Sequence, residues 1–208
     1  MAITKEYTTE AKIEAFLGVT ITAGTADDLI NSAVKIVDQY TGRNFIAEAE
    51  SYKYYNGSGN QSLRIDDCIE VTEVNRGLDS YFDDSEVITK GGLNGYFVMP
   101  EDNVQDGGGD YPVQTIWLRA SVWLCGIKNH KIKAKWGFSE VCPDDVSLAT
   151  TIIAGGLWGA NHLSGSGEIK SERIGNYDVS YDVGSGMDGW SNYKRALQIL
   201  DSYKRVNF

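Results

Sequence analysis

The sequence predicts an α+β fold, because helical patterns occur towards both ends of the chain and strand patterns fill the middle. Apolar residues recur at helical spacing near residues 9–17, 25–41 and 145–162. Between residues 51 and 136 the pattern changes to short alternating stretches, which are typical of strands. Of the 208 residues, 42% are hydrophobic, which is enough for a packed core. We therefore predict a helical core, a β-rich central region, and a C-terminal hairpin followed by a helix.

The segment from residue 25 to 41 has the clearest helix pattern in the chain. Thr25 is expected to cap its first turn, and Gly42 to end it in the left-handed conformation. Phe45 follows as an apolar residue that can anchor the chain after the helix. The predicted apolar stripe consists of Leu29, Ile30, Ala33, Val34, Val37 and Tyr40.

The central region predicts a series of short strands. Alternating residues at 51–55 and 62–65 flank Asn56–Asn60, a polar, glycine-containing segment that predicts a hairpin loop. Further strands are expected at 69–74, 86–89, 95–99 and 131–136. Residues 115–126 form an apolar run that fits either a helix or a strand.

The negative charge of the chain is concentrated in this central region. Residues 66–110 contain twelve acidic and two basic residues, which accounts for the whole net charge of −10. A chain with this distribution is a poor candidate for holding nucleic acid, because phosphate binding needs clustered Lys and Arg. Two interpretations remain open: a solvated acidic face, or a surface along which DNA passes without binding.

The C-terminal third predicts a helix, a hairpin and a second helix. In the helix at 145–162, Gly155 and Gly156 suggest close packing against a neighbour, and its apolar face holds Val146, Ala149, Ile153, Leu157 and Ala160. Gly175-Asn176 has the composition of a two-residue hairpin turn, and residues 191–206 predict the last helix. We expect a core of residues 1–163, including a β-rich acidic insertion at 51–126, and a C-terminal assembly segment of residues 164–208 joined by Gly/Ser-rich stretches.

The sequence contains no recognisable catalytic, cofactor or metal motif. Its three cysteines share no short spacing and are expected to be reduced thiols, while His130 and His162 are expected at the surface or at helix ends. Asp102–Gly107 opens like a calcium loop, but Val113 stands where the closing glutamate is required. No signal peptide or membrane-spanning run is apparent. We therefore predict a protein that is not an enzyme and needs no cofactor, made in the cytoplasm.

Three separated segments resemble the phage head-tail connector proteins, also called head-to-tail adaptors. The first is residues 8–45, a short helix and then a helix that closes in Tyr-Thr-Gly-Arg-Asn-Phe. The second is residues 132–146, where a strand gives way to Gly-Phe and then to Pro-Asp-Asp-Val at the start of a helix. The third is residues 169–181, which is similar to the hairpin of that family. The three segments occur in the family's order.

This resemblance implies a structural virion protein of the neck, between the capsid portal and the tail. It implies a helical core that assembles as a homo-oligomeric ring beneath the portal, typically of about twelve subunits in the virion and monomeric in isolation if the portal is needed as a template. The implied partners are the portal and a stopper or tail-completion protein, with DNA passing through the ring without specific binding and no membrane involved. The residues implied in portal binding and assembly lie in the C-terminal segment: Ile169, Arg173, Ile174, Gly175, Tyr177, Tyr181, Trp190, Tyr193, Leu197, Leu200, Tyr203 and Phe208.

Two other functions remain open from the sequence. One is a carbohydrate- or receptor-binding virion module, with sugars stacked on a group of aromatic residues and a metal held by the acidic loops. The aromatic residues are Tyr52, Tyr54, Tyr55, Trp117 and Trp123. The other is a cysteine hydrolase, for which no local Cys/His signature exists.

Overall fold

The computed structural model describes residues 5–77, 85–163, 171–174, 177–180 and 189–205. The chain divides into two compact units: a helical unit, Met1–Gly42 with Pro143–Phe208, and a β unit, Arg43–Cys142. The predicted α+β class is confirmed, with four helices and eight strands in the described residues. Among those residues, no helix has both the length and the apolar character needed to cross a membrane.

The helical unit is built around one central helix. Its four helices are α1 Glu10–Leu17, α2 Ala23–Thr41, α3 Asp144–Leu163 and α4 Gly189–Asp201. Helix α3 contacts each of the other three helices, because it is apolar around most of its circumference. The buried hydrophobic residues of α3 are Val146, Ala149, Ile152, Ile153 and Ala154. On the predicted face, Leu157 is only partly buried and Ala160 is exposed, so the prediction for Ala160 is wrong.

Both ends of α1 and the end of α2 follow the sequence signals. The Thr9 side chain accepts a hydrogen bond from the Lys12 N–H at 3.3 Å, and Gly18 ends α1 with φ +69°. Gly42 ends α2 with φ +68° and donates its N–H to the Asp38 carbonyl. These ends depend on local sequence, which explains why the pattern predicts them.

The start of α2 differs from the prediction. The helix begins at Ala23 with Thr22 in the N-cap position. The hydroxyl of Thr25 lies 2.9 Å from that of Thr22. Thr25 therefore lies within the first turn, and its predicted role as the N-cap is wrong.

The two glycines of α3 have different surroundings. A Cβ added at Gly155 would lie 2.8 Å from Cε1 of Phe16 in α1, whereas one added at Gly156 would have nothing within 4 Å. The predicted close packing is confirmed at Gly155 and wrong at Gly156.

The β unit is a six-stranded antiparallel sheet that curls around one core. Its strands are β1 Ser51–Gly57, β2 Ser62–Arg76, β3 Glu86–Ile88, β4 Tyr96–Met99, β5 Val113–Leu118 and β6 Gly126–Trp136. Their order is β1-β6-β2-β5-β4, with β3 also paired to β2. Residues 115–126, whose pattern fits either a helix or a strand, contribute the end of β5 and a loop.

Strand β2 turns the sheet back on itself. Its first half pairs with β5, from Ser62 opposite Trp117 to Cys68 opposite Val113. Its second half pairs with β6 and β3, with bulges after Cys68 and Val71. Bulges bend a strand and increase its twist. As a result, both ends of β2 approach the loop after β5: Gln61 accepts from the Leu118 N–H at 2.9 Å, and Arg76 donates to the Val122 carbonyl at 3.4 Å.

The predicted hairpin between β1 and β2 is wrong, because β6 lies between these two strands. The connecting loop is bonded to β6: Asn56 Oδ1 accepts from the Lys128 N–H at 2.8 Å, and the Gly57 N–H donates to Asn129 Oδ1 at 3.0 Å. Residues 58–61 form a loop, as their composition predicts, but the hydrogen bonds of the adjoining Asn56 and Gly57 go to residues far away in the sequence.

The C-terminal segment contains the predicted hairpin and helix. Strands β7 Ser171–Ile174 and β8 Tyr177–Ser180 pair antiparallel around residues 175–176. Helix α4 ends at Asp201, so the chain leaves the helix earlier than predicted. The predicted division at residue 163 stays a prediction; α4 itself packs against α3 and α2 within the helical unit.

Candidate assembly surfaces

Of the twelve predicted assembly residues, eight are described by the structure, in the β7–β8 hairpin and in or just after α4. Arg173, Ile174 and Tyr177 lie in the β7–β8 hairpin, and Trp190 lies in the first turn of α4. Four of the predicted residues lie outside the described residues: Ile169, Gly175, Tyr181 and Phe208. The other four, Tyr193, Leu197, Leu200 and Tyr203, lie in α4 or just after it.

Helix α4 contributes to the core of the helical unit. Ala196 and Leu200 are fully buried, while Tyr193 and Leu197 are partly buried. This spacing of four residues places Ala196 and Leu200 on the same face of the helix. Leu200 therefore acts in this chain as a core residue, and the partly buried residues beside it retain surface for another contact.

Polar contacts hold the end of α4 against the ends of α2 and α3; we call this group the C-terminal clasp. The Tyr203 hydroxyl lies 2.9 and 3.0 Å from the two carboxylate oxygens of Asp145. The Arg205 N–H donates to the Thr41 carbonyl at 2.9 Å. The Tyr40 hydroxyl donates to Asp201 at 2.6 Å, and this bond lowers the pKa of that carboxyl. The clasp fixes the point at which the chain leaves α4.

The β7–β8 hairpin pairs with no third strand in the described part of the chain. Its register sets Ile174 opposite Tyr177 and Glu172 opposite Val179. A two-stranded hairpin is at best marginally stable in water. The hairpin is thus the element of this chain that gains most from contact with another surface.

Part of the acidic stretch is neutralised within the β unit. Four of its acids form ion pairs with basic residues: Arg43–Asp67 at 2.6 Å, Lys53–Asp66 at 2.9 Å, Arg76–Glu86 at 2.6 Å, and Lys90–Asp106. Two of the cations, Arg43 and Lys53, precede the acidic stretch in sequence. The fold therefore reduces the acidic surface that the sequence suggests, because the flanks supply counter-charges that a linear count misses.

The solvent-facing side of β1 and β6 carries a row of paired charges. The Tyr52 hydroxyl donates to Glu73 at 2.9 Å, and Lys133 pairs with Glu50 at 2.9 Å. Hydrogen bonds from Asn75 and Tyr52 lower the pKa of Glu73. Lys131 lies 4.1 Å from the centre of the Tyr52 ring. This face is a mutually satisfied network of charges.

The aromatic residues predicted to stack on sugars do not form one surface. Trp123 is fully buried, with its indole N–H donating to the Ile116 carbonyl at 3.2 Å, so its predicted role is wrong. Tyr55 is partly buried against the core, and burial strongly raises the pKa of its hydroxyl. Tyr52 and Tyr54 are exposed on β1, but Trp117 is on β5, with two strands between them.

His130 and two of the three cysteines are buried in the packed interior. His130 is fully buried, which makes its predicted surface position wrong; its Nε2 lies 3.0 Å from the Leu124 carbonyl and its ring packs edge-on against Trp123. Cys68 and Cys142 are buried and Cys125 is exposed, all as free thiols. Burial raises the pKa of the Cys68 thiol, which disfavours the reactive thiolate. The described side chains contain no group of three potential metal ligands.

The loop that opens like a calcium site uses its polar groups internally. Buried Asn103 donates to the Pro100 carbonyl at 2.6 Å and to Asp106 at 3.1 Å. The side-chain amide of Gln105 accepts from the Val71 N–H at 3.0 Å and donates to the Val71 carbonyl at 3.1 Å. Val71 lies between the part of β2 that pairs with β5 and the part that pairs with β3. The polar side chains of residues 102–107 are thus explained by two structural roles: Asn103 closes the loop, and Gln105 satisfies the exposed edge of β2.

Comparison with known proteins gives matches to solved structures alone. No family model matches the chain, and no curated protein matches it. A chain from the neck of an empty gene transfer agent (GTA) particle, computed with C6 symmetry, is similar with a TM-score of 0.56 and 10% identity. A chain from the neck of the native particle, computed with C12 symmetry, and one from the virion of the native particle each give 0.53 and 12%. In all three, the match covers 100% of this chain and 94% of the other. The chain therefore has, over its full length, the fold of proteins found in the neck and virion of GTA particles.

Proposed function

We propose that this protein is a structural component of a virion neck: a head-tail adaptor that forms a ring beneath the portal and extends the DNA channel towards the tail. The observation that carries the proposal is the similarity, over the whole chain, to chains from necks computed with C6 and C12 symmetry. The three sequence segments that resemble the adaptor family support it independently. Both support a homo-oligomeric ring of about twelve copies, in which the protein would act by assembly and not by catalysis.

The helical unit supplies the body of the adaptor, and the C-terminal segment supplies the contact with the portal. Helix α3 is enclosed by three other helices, which gives a rigid support. The C-terminal clasp holds the end of α4 on that support through Tyr203, Asp145 and Arg205. The β7–β8 hairpin gains stability when it adds to another surface. We assign that surface to the portal, and the opposite face of the ring to a stopper or tail-completion protein.

DNA passes through the proposed ring without specific binding. The chain carries a net charge of −10, and the lysines that alternate along β6 are engaged within the fold: Lys133 pairs with Glu50, Lys135 pairs with Glu140, and Lys131 lies over the Tyr52 ring. An acidic protein repels DNA at short range, which favours movement over binding.

Removing the hairpin while keeping α4 tests this function. Deleting everything after residue 167 would also remove the buried Ala196 and Leu200, so residues 171–180 are instead replaced by a Gly/Ser linker of equal length. We expect the full-length chain to co-purify with its cognate portal and to give rings in negative-stain electron micrographs. The linker variant should keep the wild-type circular dichroism and melting temperature but lose the portal.

Two results would count against the proposal. One is a full-length chain that neither forms rings nor associates with the portal. The other is glycan binding by a stable monomer, which would favour the carbohydrate-binding alternative. A linker variant that still binds the portal would remove the hairpin from the contact while leaving the adaptor role in place.

A further inference from the structure

Five charged residues of the β unit lie outside the described ion pairs and form two groups of opposite sign. Arg119 and Lys128 are exposed, and neither forms an ion pair with a described residue. The same is true of the acids Glu101, Asp102 and Asp110. Arg119 directly follows β5, and Lys128 lies in β6. The three acids lie between β4 and β5, so β5, roughly 17 Å long, runs from their loop to Arg119.

The end with the two cations also presents large apolar side chains; we define the tip surface as Leu93, Arg119, Val122, Ile127 and Lys128. Leu93 is 75% exposed and Ile127 is 77% exposed. The Arg119 N–H donates to the Gly95 carbonyl at 3.2 Å, which brings the turn containing Leu93 beside Arg119. Apolar side chains exposed together mark sites of protein contact more often than single ones do.

The tip surface stands on a rigid base. Lys128 has a φ of +51°, an uncommon conformation for a residue with a side chain, and its N–H is held by Asn56. Asn129 is buried and bonds both the Gly57 N–H and the Leu124 carbonyl. A Cβ at Gly57 would lie 1.7 Å from the Leu124 carbonyl oxygen, so the two loops meet without space between them. A contact made through this surface therefore loses little conformational entropy.

The segment between β4 and β5 also combines charged and apolar side chains, but its charges are negative; we define the acidic loop as residues 100–112. Tyr111 is 57% exposed and Val104 is also exposed, alongside the unpaired acids. Buried Asn103 and the Gln105 bonds to Val71 fix the loop. Tyrosine is among the residues that contribute most to protein interfaces.

We propose that β units of adjacent copies contact each other head to tail, with the tip surface of one copy on the acidic loop of the next. The two surfaces are complementary: one is apolar with two free cations, the other apolar with three free acids. Among the described residues, none of these five charges pairs with another within one chain. A head-to-tail contact between unlike surfaces is the kind that generates a ring. The inference rests on the proposed ring and identifies one of its contacts.

Cross-linking between two full-length variants tests the contact directly. The first keeps the native, exposed Cys125 beside the tip surface; the second carries Cys125→Ser and Tyr111→Cys. Because Cys68 and Cys142 are buried, a short bis-maleimide should join Cys125 of one variant to position 111 of the other. The matched control replaces Tyr111→Cys by Val141→Cys, at another exposed position of the β unit, and should give no such product.

Charge reversal supplies the second arm of the test. Lys128→Glu in the first variant should reduce the cross-linked product by at least about fivefold, since it places like charges in contact. Adding Asp110→Lys to the second variant should restore it. The contact would be overturned if neither charge reversal changed the yield of cross-linked product, or if that yield equalled the yield of the Val141→Cys control.

The outcomes separate this contact from the ring itself. Rings that persist in electron micrographs while the cross-link is absent would refute the head-to-tail contact and keep the adaptor function. Cross-linked filaments without rings, and without portal binding, would support the contact and refute the adaptor function.

Discussion

At the residue scale, Arg43 and Asp67 form an ion pair that is largely withdrawn from solvent. Their N–O distance is 2.6 Å, with 13% and 6% of the side chains exposed. Removing one partner leaves a buried charge uncompensated. We expect Arg43→Ala to lower the free energy of unfolding by about 3 kcal/mol, measured by urea denaturation of the full-length chain.

The control for this prediction is Arg119→Ala, because Arg119 is exposed and outside any described ion pair. The Arg119 guanidinium lies 5.1 Å from the centre of the Phe97 ring, so the substitution should change the free energy of unfolding by no more than about 1 kcal/mol. The double variant Arg43→Met/Asp67→Leu should recover much of the loss, since apolar residues can replace a buried pair. Equal losses in Arg43→Ala and Arg119→Ala would show that the pair contributes nothing beyond a surface contact.

His130 makes the stability of the β unit depend on pH. Burial lowers its pKa, the backbone hydrogen bond to Leu124 opposes this, and the nearby charge of Arg76 lowers the pKa further. Below the unfolded-state pKa of about 6.5, the unfolded chain therefore binds more protons than the folded one. The contribution of neutral His130 is complete above that pH and is lost as the pH falls towards the folded pKa.

We expect the free energy of unfolding to fall between pH 7.5 and pH 5, and to fall less steeply in His130→Gln. Glutamine keeps an N–H for the Leu124 carbonyl but cannot be protonated in this range. Urea titrations at several pH values measure the slope. The prediction fails if wild type and variant lose stability in parallel.

At the scale of elements, the close approach of α1 and α3 depends on Gly155. Gly156→Ala should stabilise the chain by about 0.5–1 kcal/mol, because alanine favours a helix and the site is open. At Gly155 the new methyl group meets the Phe16 ring at 2.8 Å. The same substitution there should bring no gain, or a loss of up to about 1 kcal/mol. Thermal melts of the two variants compare them directly, and equal gains would refute the close approach.

The elements also show how far the sequence could predict the fold. Helix ends at Gly18 and Gly42 were predictable because their hydrogen bonds close within four residues. The partner of β1 was not, because Asn56 and Gly57 bond residues more than seventy positions away. Trp123 and His130 have no local signal of burial, since it arises from the curl of β2. The C-terminal hairpin and helix of the candidate site were visible in the pattern, whereas the core position of Leu200 depends on α3.

At the scale of the whole molecule, the β unit has a core of its own. Leu63, Ile65, Val74, Ile116 and Ile132 belong to one buried cluster confined to residues 63–136. We expect residues 43–142 to fold when produced alone, with a cooperative urea transition and dispersed amide resonances. The helical unit comes from two separate stretches, so residues 1–42 alone should remain largely unfolded. A β fragment without a cooperative transition would show that the two units fold only together.

The charge of the whole molecule cannot be read as one acidic surface. The twelve acids counted along residues 66–110 include four that the fold pairs with basic residues. Sequence composition gives the net charge correctly, but the distribution depends on which strands become neighbours. Which acids are paired therefore cannot be deduced from a linear pattern: the partners of Asp66 and Asp67 are Lys53 and Arg43, outside the acidic stretch.

The two chain segments that lead into and out of the β unit run side by side. Ile46 and Ser139 form a parallel bridge; the Ala47 N–H donates to the Ser139 carbonyl and the Phe138 N–H to the Asn44 carbonyl, each at 2.8 Å. Phe45 and Phe138 pack with ring centres 5.6 Å apart. An inserted domain whose two connections are closed in this way can be exchanged for another, or lost, without changing the distance that the host chain must span. The β unit is thus closed at its base, and its two connections to the rest of the chain are held side by side by its own hydrogen bonds.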